Sequence, residues 1–455
     1  MWSRLLPELK LDILDVLPLD AVKALASVDH ATYSICLPVI FRNIHLHDYR
    51  HLQRFYQNVP SKFGIHIYRL DLCTKDEDDS ETIETKTKTV TALLTSCIRL
   101  KALTLRLEGS LHNSLIPCFQ NLTDIMHLTI INRSQETKRP LSERFVVSVC
   151  ASLRSLEHIS LERITRSQLH ASELHDQNHS IPLVRNDDTI PDHPVLGSAL
   201  SLPSLLSIPT LKSLCIRDTH LGDPLWATFP VGCQLQNLVL GAYSGCDEDF
   251  DSECTAIIMA ALSRTSSSSL VSLSLASSLC SVISTPPATF PSTPVTVTVG
   301  EPPQMVPEYH LPSLRKLYLL PSFPVDSIVH TMIRLASSPI GDVEVQCYKD
   351  DVVAVCESLE KFIALLPIGR NLAINSSAIW GFFGDLERID LVAVRDPDSG
   401  PHLENDEEES NRAKAIQQLK GTCKEAKLLS SVSYVLERGC RVGVQVFGSE
   451  GICAA

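Results

Sequence analysis

The chain has 455 residues, a formal net charge of −13 and 15 cysteines scattered without paired spacing. Nucleic acids and anionic membranes attract clustered lysines and arginines, and the sequence contains no such cluster, so neither is expected as a partner. Unpaired cysteines are typical of a reducing compartment, which predicts a cytoplasmic or nuclear protein. The stretch from Thr265 to Gly300 is too rich in Ser, Thr and Pro to span a bilayer. The expected partner is therefore another protein.

The first 45 residues predict a small helical module. Apolar residues recur at helical spacing on both sides of the break Leu17-Pro18-Leu19-Asp20: Leu9, Ile13 and Val16 before it, and Val22, Leu25, Ala26 and Val28 after it. The spacing predicts two short helices that share an apolar face. Asp20 is expected to cap the second helix, and Pro38 is expected to end a third. A strand is expected next, with Ile40, Ile44 and Leu46 among its residues.

This order of features resembles the F-box, a small helical domain that joins a substrate receptor to the Skp adaptor of a cullin-RING ubiquitin ligase. The resemblance implies that six residues bury their apolar faces against the adaptor: Leu6, Pro7, Ile13, Leu17, Leu25 and Val28. Where many F-boxes carry a tryptophan shortly after the position of Val28, this chain has Thr32 and Tyr33. An ordinary helical cap over the domain that follows is the alternative interpretation.

Beyond this module one apolar frame recurs along the chain. Runs of the form L-x-x-L-x-L, with Ile or Val at some positions, begin at ten places, the last of them a weak match: Ile67, Leu100, Ile125, Leu156, Leu211, Leu235, Leu270, Leu314, Leu386 and Ile340. The middle residues of neighbouring runs lie 25 residues apart from Leu103 to Leu128, 31 from Leu128 to Ile159, and 24 from Leu214 to Leu238. These periods lie near those of leucine-rich repeats.

The frame predicts an α/β fold, with the short N-terminal helical module followed by an irregular leucine-rich-repeat solenoid. The last two apolar residues of each run point to one side of a short strand, and a single unit cannot bury that side. Units should therefore stack, with parallel strands on the concave side and helices on the convex side. Helical segments are predicted over Thr82–Thr95, Ser142–Ala151 and Thr255–Leu262. The Asn or Cys that usually follows the repeat core is missing from most units, as in fungal-type F-box proteins with degenerate repeats. Another α/β fold of alternating strands and helices is the alternative.

The predicted organisation is a module over residues 1–45, an array over 46–395 and a C-terminal segment over 396–455. Insertions are expected near 166–201 and 285–307. The first contains His170, His175, His179 and His193 among several aspartates, and a solvated loop is favoured there over metal binding. The C-terminal segment joins an acidic linker to a helix over Ala413–Leu436 and a strand that contains Val442, Val444 and Val446. This last pair is expected to cap the array.

Searches for chemical motifs give only near misses. The acidic series from Asp247 to Asp251 begins like a calcium loop, but Ser252 stands where the turn needs Gly and Ile258 where a Glu should close the site. The sequence from Gly241 to Gly245 has one residue too many for a nucleophile elbow and predicts a turn. We therefore expect no catalytic residue, no cofactor and no metal.

Taken with the resemblance, the two parts imply a substrate-recognition subunit of an SCF-type (Skp-cullin-F-box) ubiquitin ligase. Its partners would be a Skp-type adaptor, through it a cullin-RING ligase, and an unidentified substrate protein held by the repeats. Two alternatives stay open. The chain is a repeat scaffold or inhibitor unconnected to ubiquitination, or it is an enzyme whose site includes the insertion histidines.

Overall fold

The computed structural model describes residue 2 and residues 5–76, 81–171, 181–243, 248–264, 269–279, 309–366, 385–394 and 406–435. The chain divides into two compact units. Unit 1 comprises Met1–Asn237 with Tyr243–Asp247, and unit 2 comprises Leu238–Ala242 with Glu248–Ala455. The predicted boundary after residue 45 falls inside the first strand, so the N-terminal module continues directly into the repeats.

Short strands follow one another in chain order through the described part of the chain: β1 (Asn43–Leu46), β2 (Arg69–Cys73), β3 (Ala102–Leu107), β4 (His127–Asn132), β5 (His158–Glu162), β6 (Ser213–Arg217), β7 (Asn237–Leu240), β8 (Ser272–Leu275), β9 (Lys316–Leu319), β10 (Asp342–Tyr348), β11 (Arg388–Val394) and β12 (Leu429–Val435). In unit 1, strands β1 to β6 each pair in parallel with the next. In unit 2, strands β8 to β12 do the same. One strand per repeat, paired with the strand of the next repeat, is the pattern of a leucine-rich-repeat solenoid, so the predicted fold class is confirmed.

The register shows why the apolar frame predicts the strands. In unit 1 one inward-facing row is formed by equivalent residues of successive strands: Leu70, Leu103, Leu128, Ile159 and Leu214. Each member of this row is at most 2% exposed. In unit 2 the corresponding row contains Leu317, Val343 and Ile389. The weak match that begins at Ile340 is a full strand, β10, because its valines occupy the same buried positions.

Three helices precede β1: α1 (Pro7–Val16), α2 (Leu19–Ala26) and α3 (His30–Ile40). Further helices connect the strands: α4 (Tyr49–Asn58), α5 (Ile83–Ser96), α6 (Ile116–Phe119), α7 (Glu143–Ser152), α8 (Glu248–Arg264), α9 (Ile328–Arg334), α10 (Val352–Leu365) and α11 (Asp406–Glu425). The three connecting helices predicted from the sequence correspond to α5, α7 and α8. Parallel strands need crossover connections of this kind. Asp249 and Asp251 belong to α8, so this part of the apparent calcium motif is helical.

The C-terminal prediction is wrong in its boundaries. The helix α11 begins within the acidic run and ends at Glu425, instead of continuing to Leu436. Residues Leu429–Val435 form β12, which pairs in parallel with β11. The strand expected around Val444 and the second insertion, 285–307, lie outside the described residues.

The first insertion is anchored by buried polar contacts, although many of its described residues between 185 and 198 are exposed, as expected of a solvated loop. Arg166, at its start, is 1% exposed. Its guanidinium lies 2.9 Å from Glu143 Oε2 and 2.9 Å from Asp223 Oδ2. Nδ1 of His170 lies 3.1 Å from the other oxygen of Glu143. Burial by itself raises the pKa of Glu143, but the combined effect of Arg166 and His170 is larger and opposite, so this pKa falls below its ordinary value. The insertion therefore begins in a network of buried, paired charges.

The returning part of the insertion is held by the same region. The Arg144 guanidinium donates to the carbonyl oxygens of Asp187 and Ile190, at 3.2 and 3.1 Å. The Asp187 carboxylate accepts from the hydroxyls of Ser142 and Ser167, at 2.7 Å each. Some of the polar residues that predicted a solvated loop are buried hydrogen-bond partners. Composition alone does not distinguish a polar residue in solvent from one that is buried and hydrogen-bonded.

Candidate partner-binding surface

The three helices α1 to α3 enclose a very small core. Leu14, Val22 and Cys36 are fully buried and in contact with one another. Partly buried side chains surround them: Trp2, Leu17, Leu25, Ala26, Ile35, Val39 and Ile40. A core of this size supplies little stability, so the module depends on what it packs against.

Polar contacts fix the helices of the module. Asp29 caps α3, since its carboxylate accepts from Thr32 N at 2.8 Å. Hydrogen bonds from the backbone and side chain of Thr32 lower the pKa of Asp29. The indole nitrogen of Trp2 donates to the Thr32 hydroxyl at 3.2 Å. Arg42, just after α3, lies 2.9 Å from Asp15 of α1. These contacts hold the N-terminal and C-terminal ends of the module together.

Three local predictions for the module are wrong. Ile40 lies at the end of α3 and not in the strand that follows, which begins at Asn43. Asp20 does not cap α2, because the helix begins at Leu19 with Pro18 as its N-cap, and Asp20 lies in the first turn. Its charge still favours the helix N-terminus. Pro38 does not end α3, which continues to Ile40.

The outward face of α1 is apolar. Leu9, Ile13 and Val16 stand at positions i, i+4 and i+7, which places them on one side of the helix. They are 48%, 38% and 81% exposed, although Leu14 on another side of the same helix is completely buried. Leu6, Leu19 and Val28 add 64%, 46% and 68% exposed side chains to the module. We call the Leu9, Ile13 and Val16 side of α1 the outer face.

The six residues expected to touch an adaptor fall into an exposed group and a partly buried group. Leu6, Ile13 and Val28 are exposed, and Pro7 is exposed at the first position of α1. Leu17 and Leu25 are instead partly buried against the Leu14 cluster, so they support the surface from within. The prediction that Leu9, Ile13 and Val16 lie on an apolar face shared by two helices is wrong, because all three are exposed and Leu14 packs in the core instead. Leu9 and Val16 were therefore missed as surface candidates.

The histidines of the first insertion do not assemble a site in the described residues. His170 is held between Glu143 and Arg144, whose guanidinium lies 3.4 Å from its Nε2. His175 and His179 lie outside the described residues. No group of three or more His, Cys, Asp or Glu side chains in the described part of the chain has the arrangement of a metal site.

Comparisons with known proteins add structural likenesses only. No protein-family model matches the chain, and no curated protein matches it. A chain of the TLR13–ssRNA13 complex is 11% identical, with a TM-score of 0.32, over 84% of this chain and 38% of that one. A chain of the yeast Rad7–Elc1 complex is 12% identical, with a TM-score of 0.36, over 97% of this chain and 92% of that one. The chain therefore spans well under half the length of the TLR13 structure.

Membrane-spanning character is absent from the described helices. None of them combines the length and the apolar character that crossing a bilayer requires.

Proposed function

We propose that this chain is a substrate-recognition subunit of an SCF-type ubiquitin ligase. The N-terminal module binds a Skp-type adaptor, and the repeats hold a substrate protein. The observation that carries the proposal is the outer face: a module that resembles the F-box presents Leu9, Ile13 and Val16 to solvent on one side of α1.

Burial of this face supplies the binding energy. Complete removal of an aliphatic side chain from water contributes about 1.5–3 kcal/mol. Three such side chains on one helix, with Leu6 and Val28 exposed in the same module, form a central apolar patch of the kind that dominates protein interfaces. Adaptor binding would also stabilise the module, whose core is small and is built on the fully buried Leu14, Val22 and Cys36.

The chain itself makes and breaks no bond under this proposal. Its contribution is proximity, because a substrate lysine held near the charged ubiquitin carrier reacts as if it were part of the same molecule. The catalytic groups belong to the other subunits, and the protein acts in the cytoplasm or nucleus.

The test is direct binding of the full chain to a purified Skp adaptor. We expect Leu6→Asp together with Ile13→Asp to weaken binding by at least about tenfold, because each change places a charge in an apolar interface. Both side chains are exposed, so the repeat domain should keep its circular dichroism spectrum and melting temperature. Ile83→Asp with Ile98→Asp is the matched control, because these isoleucines are 54% and 55% exposed outside the module. Full adaptor binding by the Leu6 and Ile13 variant would contradict the proposal.

A repeat scaffold or inhibitor unconnected to ubiquitination is the second candidate. The pairing of β1 with β2 favours it, because this pairing joins the module directly to the first repeat of the solenoid. An end cap of a repeat array would occupy the same position. A folded wild-type chain that binds no Skp adaptor in the same measurement would support this second function.

A further inference from the structure

Residues at the start of neighbouring strands come together along one edge of the unit 1 sheet. The carbonyl oxygen of Lys101 accepts from the amides of Met126 and His127, at 2.9 and 3.1 Å. The carbonyl oxygen of Glu157 accepts from the amide of Lys212 at 2.8 Å. Arg69, His127 and His158 occupy equivalent register positions, and Lys101 and Lys212 stand one residue before those positions in β3 and β6. These five residues define what we call the basic strip.

The strip is locally positive in a chain whose net charge is −13. Arg69 and Lys101 are exposed, and Lys101 Nζ lies 6.0 Å from the centre of the Tyr68 ring. Lys212 Nζ pairs with Glu157 Oε1 at 2.8 Å. The strip thus carries three permanent cations, one of which, Lys212, is paired with Glu157.

Two imidazoles form the centre of the strip. The rings of His127 and His158 stack with their centres 4.5 Å apart and their planes at 10°. Burial and the charge of Arg69 lower the pKa of His127. Burial and then His127 lower the pKa of His158 to about 4, and Lys212 lowers it further against the opposite effect of Glu157. Both rings are therefore neutral at pH 7, and the neighbouring cations oppose their protonation.

The row beside the strip begins with Asp71, whose carboxylate pairs with Arg106 at 2.7 Å, and continues with small uncharged residues. Thr104, Thr129 and Ser160 occupy equivalent register positions on the same face as His127 and His158. Their hydroxyls offer hydrogen bonds without adding charge. Strands in a sheet lie about 4.8 Å apart, so the strip from β2 to β6 is about 19 Å long, the reach of an extended segment of about six residues.

We propose that the basic strip binds a carboxylate-rich segment of a partner protein, which is the substrate if the proposed function holds. Charge complementarity selects this occupant, because carboxylates spaced along an extended chain match cations spaced along successive strands. A nucleic acid fits less well, since three cations neutralise few phosphates and the net negative charge of the whole chain repels a long polyanion.

The proposal predicts a dependence on salt and pH. Bound carboxylates stabilise the charged form of an imidazole, so they raise the pKa of His127. By linkage the acidic segment then binds more tightly as the pH falls from neutral towards the pKa of His127. Because Arg69 and Lys101 are exposed, the affinity should also fall as salt rises from about 50 to about 300 mM.

The experiment measures binding of a dye-labelled hexaglutamate peptide to the full chain by fluorescence anisotropy, with a hexaglutamine peptide as the uncharged control. We expect Arg69→Glu with Lys101→Glu to weaken hexaglutamate binding by about tenfold or more. The matched control is Lys361→Glu with Lys420→Glu, which makes the same charge change at exposed positions of α10 and α11. This control should bind like the wild type. NMR titration of His127 should show its pKa rise when the peptide is added.

Three outcomes would overturn the proposal: equal weakening in both double variants, equal binding of the glutamine peptide, or preferential binding of a single-stranded RNA of equal charge. The strip lies outside the outer face of α1, so its variant should still bind the Skp adaptor. If the Arg69→Glu, Lys101→Glu variant loses peptide binding but keeps adaptor binding, the strip and the adaptor surface are separate sites. If the wild-type chain binds the peptide but not the adaptor, only the proposed function is rejected.

Discussion

At the scale of single residues, polar side chains close the turns of the repeats. The Asn132 side chain, fully buried at the end of β4, accepts from the amides of Gly109 and Ser134 at 3.2 and 3.0 Å. It also donates to the carbonyl oxygen of Arg139 at 3.1 Å. In another repeat a hydroxyl takes this role, since the Thr74 side chain accepts from the amide of Glu108 at 3.1 Å. Repeats without the usual Asn therefore satisfy some turn amides with threonine, a substitution that the leucine frame does not reveal.

The Asn132 turn yields a stability prediction. We expect Asn132→Ala to lower the free energy of unfolding by about 2–4 kcal/mol, because it leaves buried backbone groups without partners. Urea unfolding of the full chain, followed by circular dichroism, measures the change. Asn121→Ala, at an exposed position, should change little. A loss of the same size in both variants would contradict this role for Asn132.

The buried network at Arg166 gives a second prediction. Arg166→Met leaves Glu143 and Asp223 in the interior without their cation, which should cost about 3–5 kcal/mol. The first insertion should then become sensitive to limited proteolysis before the rest of unit 1. Arg185→Met is the control in the same insertion, because Arg185 is exposed. An insertion that stays resistant in the Arg166 variant would show that other contacts hold it.

At the scale of elements, two glycines test packing and helix propensity separately. A Cβ atom on Gly64, in the short 3-10 helix Ser61–His66, would overlap with the backbone oxygen of Ser96 at the end of α5. On Gly421, within α11, it would meet no atom within 4 Å. The same substitution therefore meets a rigid backbone in one place and open space in the other.

We expect Gly64→Ala to destabilise the chain by about 1–3 kcal/mol through overpacking. Gly421→Ala should stabilise α11 by about 0.5–1 kcal/mol, since alanine lowers the conformational entropy of the unfolded chain. Thermal unfolding of the two variants beside the wild type checks both signs. Equal shifts in one direction would contradict the packing at Gly64.

The ends of elements mark where sequence reasoning stops. β12 escapes prediction because Leu429–Val435 carries serines at three of its positions and lacks the leucine frame. Its place follows from pairing with β11, a contact distant in sequence. Pro38 also misleads, because α3 accommodates a proline near its C-terminal end that normally stops a helix.

At the scale of the whole molecule, the repeat frame predicts the solenoid because its inward leucines occupy equivalent positions in successive strands. The basic strip is invisible to the same argument. Its members are spread between Arg69 and Lys212, and only the pairing of successive strands brings them near one another. The outer face of α1 lies between these cases, since helical spacing reveals Leu9, Ile13 and Val16 as a group but not which side of the helix faces solvent.

The most direct measurement is affinity purification of the full chain from cell extract, followed by mass spectrometry. The wild type is compared with the Leu6→Asp, Ile13→Asp variant and with the Ile83→Asp, Ile98→Asp control. We expect Skp and cullin subunits to be recovered with the wild type and with the control, and to be lost from the Leu6→Asp, Ile13→Asp variant. Their absence from all three, or their presence with all three, would contradict the assignment of the N-terminal module as the ligase adaptor site.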